Sequence, residues 1–216
     1  MRVRLFDVRL DQVTVQIIRG GEHLLDLIND ILDLSKIEAG KIKLTPQPLD
    51  PLEAVDQAVR LMRRRAEEKG LHLIVDGAAA PEIEADHRAV KQMLLNLISN
   101  AVAWSPAGCP VRVEAAPGSA ADPDDGGTVA VRVIDHGPGI PPDQREDVFR
   151  PFSRLDEARN VDGGGTGLGL AIVAEIVAAH DGTVTIGVPH STADVRVTGL
   201  TAGRTKLRAV TGERYG

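Results

Sequence analysis

The chain has 216 residues, a net charge of −6 and 43% hydrophobic residues, enough to bury an ordinary core without disulfides. The absence of a long basic run argues against a nucleic-acid binder working through phosphate contacts, and the single cysteine, Cys109, excludes an internal disulfide and suits a reducing cytoplasm. No apolar stretch approaches the ~20 residues that span a bilayer, and residues 1–10 lack the apolar segment of a signal peptide.

Residues 10–41 have helical spacing. Ile17, Gly21, Leu24, Ile28, Ile31 and Ser35 follow alternating four- and three-residue steps, and Leu25, Leu27, Leu32 and Leu34 widen the stripe. Such a stripe calls for a bundle, with a second copy of the chain or another helix; packing on the following domain is the other reading. Gly40 ends this helix, and residues 41–45 read as a short strand before a Pro-rich turn over 46–51. A second helix carries Leu52, Val55, Val59 and Met62 on one face and stops at Gly70. Leu71, Leu73 and Val75 alternate as a strand, and Asp86 is a good N-cap for a third helix to about Ala103.

Strands follow over 111–115 and 129–133, separated by a Gly/Ala/Pro/Asp loop over 117–127. Pro141 opens a short acidic helix ending near Phe149, residues 150–166 look irregular, and residues 168–179 form an apolar helix stopped by Gly182. Val184, Ile186 and Val188 make a last clear strand. Helices and strands intermix without a strict βαβ rhythm, which predicts an α+β chain: a two-layer α/β sandwich with helices on one face of a mixed sheet.

Three segments carry chemistry. On the third helix, Val90, Leu94, Leu97 and Ala101 form a buried row, whereas Asn96, Asn100 and Trp104 form a separate row four residues apart. Two stacked carboxamides suit a Mg²⁺ already carrying triphosphate charge, or simply hydrogen bonds to adjacent loops. Next, a strand delivers Asp135 to a turn with Gly137 and Gly139; its carboxylate can accept from an exocyclic amine such as adenine's, or close an ordinary Asp-Gly turn. Finally, Gly163-Gly-Gly-Thr-Gly-Leu-Gly-Leu170 runs straight into a helix, which is a phosphate cradle or a plain glycine-rich turn, and not a P-loop because no Gly-Lys-Ser/Thr follows.

In order and spacing these segments resemble the N box and the two glycine boxes of sensor histidine kinases, with Val148-Phe-Arg-Pro-Phe-Ser-Arg154 similar to the intervening Phe box. Upstream, residues 21–40 (Gly21-Glu-His-Leu-Leu-Asp through Ser35-Lys-Ile-Glu-Ala-Gly40) resemble the second helix of the dimerisation hairpin of hybrid-type kinases. The resemblance implies a Bergerat-type nucleotide fold binding ATP and Mg²⁺, preceded by a long dimerisation helix. Residues 1–40 would be the partial hairpin, 41–190 the catalytic domain and 191–216 an atypical tail.

By the same resemblance, Asn96 and Asn100 would be catalytic, with Asn100 on the metal. Asp135 would bind adenine, Gly137, Gly139 and Ile140 would line the base pocket, and Trp104 would wall it. Gly165, Thr166, Gly167, Leu168 and Gly169 would meet the phosphates, and residues 150–166, with Phe152 and Arg154, would form the ATP lid. Hydrolases of the superfamily place a Glu where Asn96 stands; an amide cannot take a proton from water at neutral pH, which favours a kinase over an ATPase. A homodimer through the first helix, a phosphoacceptor-histidine segment and a response regulator are the implied protein partners; a non-catalytic ATP-binding dimerisation module is the alternative.

Departures from the family pattern are three. The acceptor motif, His followed by an acid and Arg-x-Pro, is absent, and His23 sits on the second-helix pattern, so a histidine supplied by another segment or in trans is expected. Ala103 stands where the family commonly has a basic residue, and residues 191–197 are a poor match to the usual closing strand.

Overall fold

The computed structural model describes residues 44–77, 80–118, 128–154, 166–187 and 194–201, together with residues 20, 21, 24, 25 and 28. The chain divides into two units, Met1–Lys41 and Ile42–Gly216. In the first, the described residues are helical and expose Leu24, Leu25 and Ile28. The rest of the helix expected over 10–41, His23 included, lies outside the described residues, as do residues 119–127 of the expected loop and 202–216 of the expected tail.

Of the expected first strand, residues 41–43 lie outside the described residues. Residues 44–46 are not strand, and the Pro-rich stretch expected as a turn contains β1, Gln47–Leu49. After α1 (Pro51–Glu68) and β2 (His72–Gly77) comes β3, Ile83–Ala85, which pairs antiparallel with β1. A two-stranded ribbon has only edge strands, so Pro48 is tolerated there. The ribbon is held by its buried apolar residues Leu49, Ile83 and Ala85. Three-residue strands are too short to reveal themselves by alternation.

α1 forms where Asp50 accepts hydrogen bonds from the N–H groups of Leu52 (2.8 Å) and Glu53 (3.2 Å), with Pro51 pre-set for the first turn. Val55, Ala58, Val59, Met62 and Ala66 make its buried stripe. At its end, Lys69 Nζ donates to the carbonyls of Val102 (3.0 Å) and Ala103 (2.7 Å), satisfying orphan acceptors at the C-terminus of α2, His87–Trp104.

The main sheet has the order β2-β4-β5-β7-β6, where β4 is Pro110–Pro117, β5 Thr128–Ile134, β6 Thr183–Gly187 and β7 Asp194–Thr201. β2 and β4 run parallel and every other pair is antiparallel. Val111, Val113, Ala115, Val129, Val131, Val133, Val195 and Val197 are buried, while the alternate residues Arg112, Glu114 and Arg132 form a charged row with Arg132 Nη1 3.1 Å from Glu114 Oε2. α1, α2 and the last helix, α3 (Gly169–Ala179), pack on the sheet as the second layer of an α/β sandwich. That is the architecture the element pattern predicts.

Two expectations are corrected. The acidic helix after Pro141 is a pair of 3₁₀ turns, Pro142–Gln144 and Asp147–Phe149, anchored by buried Val148. Residues 194–201, assigned to an atypical tail, form β7, an inner strand of the sheet. Val195 registers with Val133 and Ile186, and Val197 with Val131 and Val184, so two alternating valines supply the inward face while the backbone closes the ladders of both β5 and β6.

Asp86 caps α2. Its Oδ1 accepts from Arg88 N (2.9 Å) and Ala89 N (3.1 Å), and its Oδ2 from Thr45 N (2.9 Å). Partial burial pushes its carboxyl pKa up, but the backbone donors of Thr45, Ala89 and Arg88 outweigh that and hold it below the ordinary carboxylate value. Because the folded pKa is depressed, the stabilisation is complete above the unfolded carboxylate pKa and is lost as pH falls through the folded one. Asp86→Ala is expected to cost about 1–2 kcal/mol at neutral pH, and the parent–variant difference in chemical denaturation should shrink in strong acid; a pH-independent difference would remove the carboxylate from this role.

Candidate functional site

The site is built on α2. One turn apart, Asn96, Asn100 and Trp104 are all half-buried, while Val90, Leu94, Leu97 and Ala101 fill the core behind them. Asn96 Nδ2 donates to the carbonyl of Gly169 at 3.3 Å. The Asn100 amide lies against the same residue: a Cβ at Gly169 would sit 3.7 Å from its Nδ2 and 3.9 Å from its Oδ1. The helix after the glycine-rich turn therefore begins on top of the two carboxamides. No side chain caps α3 at Leu168 and no acid occupies its first turn, so its N-terminal field favours an anion there.

The other end of the row meets the Asp135 turn. Asp135 is only 7% exposed, and its Oδ1 accepts from Gly137 N at 2.7 Å. Gly137 is wedged in: a Cβ there would lie 2.9 Å from Asp135 Oδ1 and 3.2 Å from both Trp104 Cβ and Trp104 O. The Asp135 turn thus abuts Trp104, at the end of the row that carries the two amides. Gly139 takes a positive φ of 76°, and Ile140 offers its carbonyl to Arg145 Nε at 3.2 Å. His136 points away from this row, with Nδ1 3.0 Å from the carbonyl of Pro110.

The glycine-rich turn is tightly seated. Gly167 has φ +74°, and a Cβ on it would lie 2.9 Å from Ser153 O and 3.0–3.1 Å from the backbone of Phe152, which itself has φ +61°. Thr166 Oγ1 accepts from Leu168 N at 3.1 Å, and the Leu168 side chain is fully buried, so Leu168 anchors the turn to the core instead of offering a side chain to a ligand. Gly167→Ala would combine left-handed strain with a backbone clash. It should cost about 1–3 kcal/mol and displace the turn from Phe152; an unchanged melting temperature and unchanged nucleotide affinity would show that the turn is not so constrained.

Asn96, Asn100, Trp104, Asp135, Gly137 and Gly169 are thus brought together, and Gly167 is packed on Phe152. Phe152 is 62% exposed, with its backbone against Gly167, and Arg154 is exposed. Gly165, with residues 155–165 of the expected lid, lies outside the described residues. The cap residue Asp86 is also joined to His180, whose Nε2 accepts from Asp86 N at 3.1 Å across a separation of 94 residues. No local pattern announces such a contact. Among the described residues no group of three or more His, Cys, Asp or Glu could hold a metal, and no helix is long and apolar enough to cross a membrane.

Residues 85–207 match the family of histidine kinase-, DNA gyrase B-, and HSP90-like ATPases. The chain is 43% identical over 188 residues, 87% of its own length, to the non-motile and phage-resistance protein of Caulobacter vibrioides, and 39% identical over 192 residues, 86% of its length, to the histidine protein kinase DivJ of the same organism. It spans 22% and 30% of those two proteins. Among solved structures it is similar to full-length ShkA in complex with AMPPNP (TM-score 0.75, 35% identity, 89% of this chain and 39% of that one). It is also similar to the Acinetobacter baumannii histidine kinase AdeS (TM-score 0.67, 25% identity, 94% and 87%).

Proposed function

The chain belongs to the histidine kinase-, DNA gyrase B-, and HSP90-like ATPase family and carries a sensor histidine kinase catalytic domain, and from that premise we propose that it binds ATP with Mg²⁺ and transfers the γ-phosphate to a histidine in a two-component phosphorelay. The histidine comes from another segment or in trans, a response regulator receives the phosphate, and two copies pair through the N-terminal helix. Asp135 accepts from the adenine amine, held by Gly137 N and walled by Trp104. The α3 N-terminus and the Gly167 turn meet the phosphates.

A divalent cation would fit the donor set as a guest of the nucleotide, and Asn100 would hold it through one neutral amide oxygen. When bound, it neutralises charge developing on the phosphoryl group. The Asn100 amide lies beside Gly169 at the start of α3, and the buried residues behind α2 keep it in place.

The observation that supports transfer over hydrolysis is Asn96. Its amide nitrogen is committed to Gly169 O, and the group it turns toward the phosphate end is an amide, not a carboxylate. An amide cannot act as the base that activates water, which leaves the phosphate for a better nucleophile. The test is incubation of the chain with labelled ATP and a supplied helical hairpin bearing the acceptor histidine. Acid-labile label on that histidine is expected, with little ADP formed in its absence. Nucleotide binding without transfer would instead make the chain a non-catalytic ATP-binding module, and rapid hydrolysis without acceptor would overturn the role of Asn96.

A further inference from the structure

The two helices of the site are pinned to each other twice. At one end, Asn96 Nδ2 on α2 holds Gly169 O at the first residue of α3. At the other, His180, the C-cap residue of α3, reaches the N-cap of α2: its Nε2 accepts from Asp86 N at 3.1 Å, and its Nδ1 lies 2.8 Å from the carbonyl of Ile176, one turn back in its own helix. The ten-residue and eleven-residue separations each correspond to about 15–17 Å of helix, so the pins match in span and the helices run antiparallel between them. Both contacts of the imidazole are satisfied at once only by the neutral ring with its proton on Nδ1, because the Asp86 N–H needs a lone pair at Nε2.

From this we infer that His180 is a positioning residue for the nucleotide site, setting through α3 the distance between Gly169 and the carboxamides of Asn96 and Asn100. α3 is short, and every residue on its inner face (Ala171, Ile172, Val173, Ile176, Val177) is aliphatic and without directional bonds. Dispersion contacts alone leave such a helix free to slide along its axis by fractions of an ångström. The two end pins remove that freedom. Asp86 makes the far pin rigid, since its carboxylate is itself fixed by Thr45 N, Arg88 N and Ala89 N. The inference rests on the nucleotide site proposed above only for its consequence, not for its geometry.

Three substitutions separate the roles of the ring. Asn places its amide nitrogen where Nδ1 stands and keeps the bond to Ile176 O, but falls short of Asp86. Gln places its oxygen as many bonds from Cβ as Nε2 and can accept from Asp86 N. Ala keeps neither. Two readouts apply to the whole chain: the side-chain amide resonance of Asn96, at the opposite end of α3, and the affinity for Mg²⁺·AMPPNP by calorimetry. His180→Ala and His180→Asn should both shift the Asn96 resonance and weaken binding by about tenfold, with His180→Gln restoring both, as expected for loss of one bond to a part-buried N–H. ¹⁵N shifts of the parent ring should report a protonated Nδ1 and a bare Nε2. An unmoved Asn96 resonance in His180→Ala, or rescue by Asn as complete as by Gln, would overturn the inference. A parent chain that binds no nucleotide would count against the proposed function, while the Asn96 resonance would still decide the role of His180.

Discussion

Asp135→Asn is expected to abolish measurable ATP binding while leaving the fold intact. The carboxylate is buried, and one oxygen is held by Gly137 N at 2.7 Å. An amide at this position would keep its oxygen on Gly137 N, because that donor cannot be left unpaired in so enclosed a place. Its NH₂ would then be turned toward the base. Two donors would face each other where one donor and one acceptor belong, and the loss should reach about a hundredfold or more, since a mispaired buried polar group costs several times a simple missing bond. Discrimination should also change: the variant should lose its preference for ATP over a nucleotide with a carbonyl in place of the exocyclic amine. Calorimetry with both nucleotides, beside a melting curve, is the measurement. Unchanged ATP affinity in a folded variant would take Asp135 out of the base pocket.

Asn100→Ala should separate metal from nucleotide. The Asn100 amide lies within 3.7–3.9 Å of the Cβ direction of Gly169, at the mouth of α3 and on the same face as Asn96. Removing it deletes a neutral oxygen ligand without disturbing the core row, because Leu97 and Ala101 are buried by their own contacts. Affinity for free nucleotide should change little. The gain in affinity on adding Mg²⁺, and with it phosphoryl transfer to a supplied histidine, should fall by about a hundredfold. Asn100→Asp is the informative companion: it restores an oxygen but adds a charge beside the triphosphate, so it should recover metal response only at raised Mg²⁺. A Mg²⁺ response identical in parent and Asn100→Ala would exclude Asn100 as a ligand.

Much of this protein is determined by local sequence. Asp50 with Pro51, and Asp86, set the starts of α1 and α2 because an N-cap needs only a side-chain oxygen and two backbone donors close in the chain. The spacing of Val90, Leu94, Leu97 and Ala101 against Asn96, Asn100 and Trp104 settles which side of α2 faces the core and which faces the site, since helical period alone assigns the faces. The Asp135–Gly137 turn and the glycine-rich turn before α3 are legible for the same reason: close backbone approach excludes a Cβ, and glycine is the residue that omits it.

Only the tertiary structure decides the remainder. β7 is an inner strand although its sequence offers just Val195 and Val197 in alternation, because the strand is stabilised by ladder bonds to β5 and β6, whose residues lie outside its own segment. β1 and β3 exist because each supplies the other's backbone partners, which neither three-residue segment can signal alone. The union of α2 with α3, through Asn96 to Gly169 and His180 to Asp86, joins residues 73 and 94 positions apart. Short-range patterns encode faces, caps and turns, whereas register and long-range pairing depend on which surfaces the collapsed chain brings within hydrogen-bond distance.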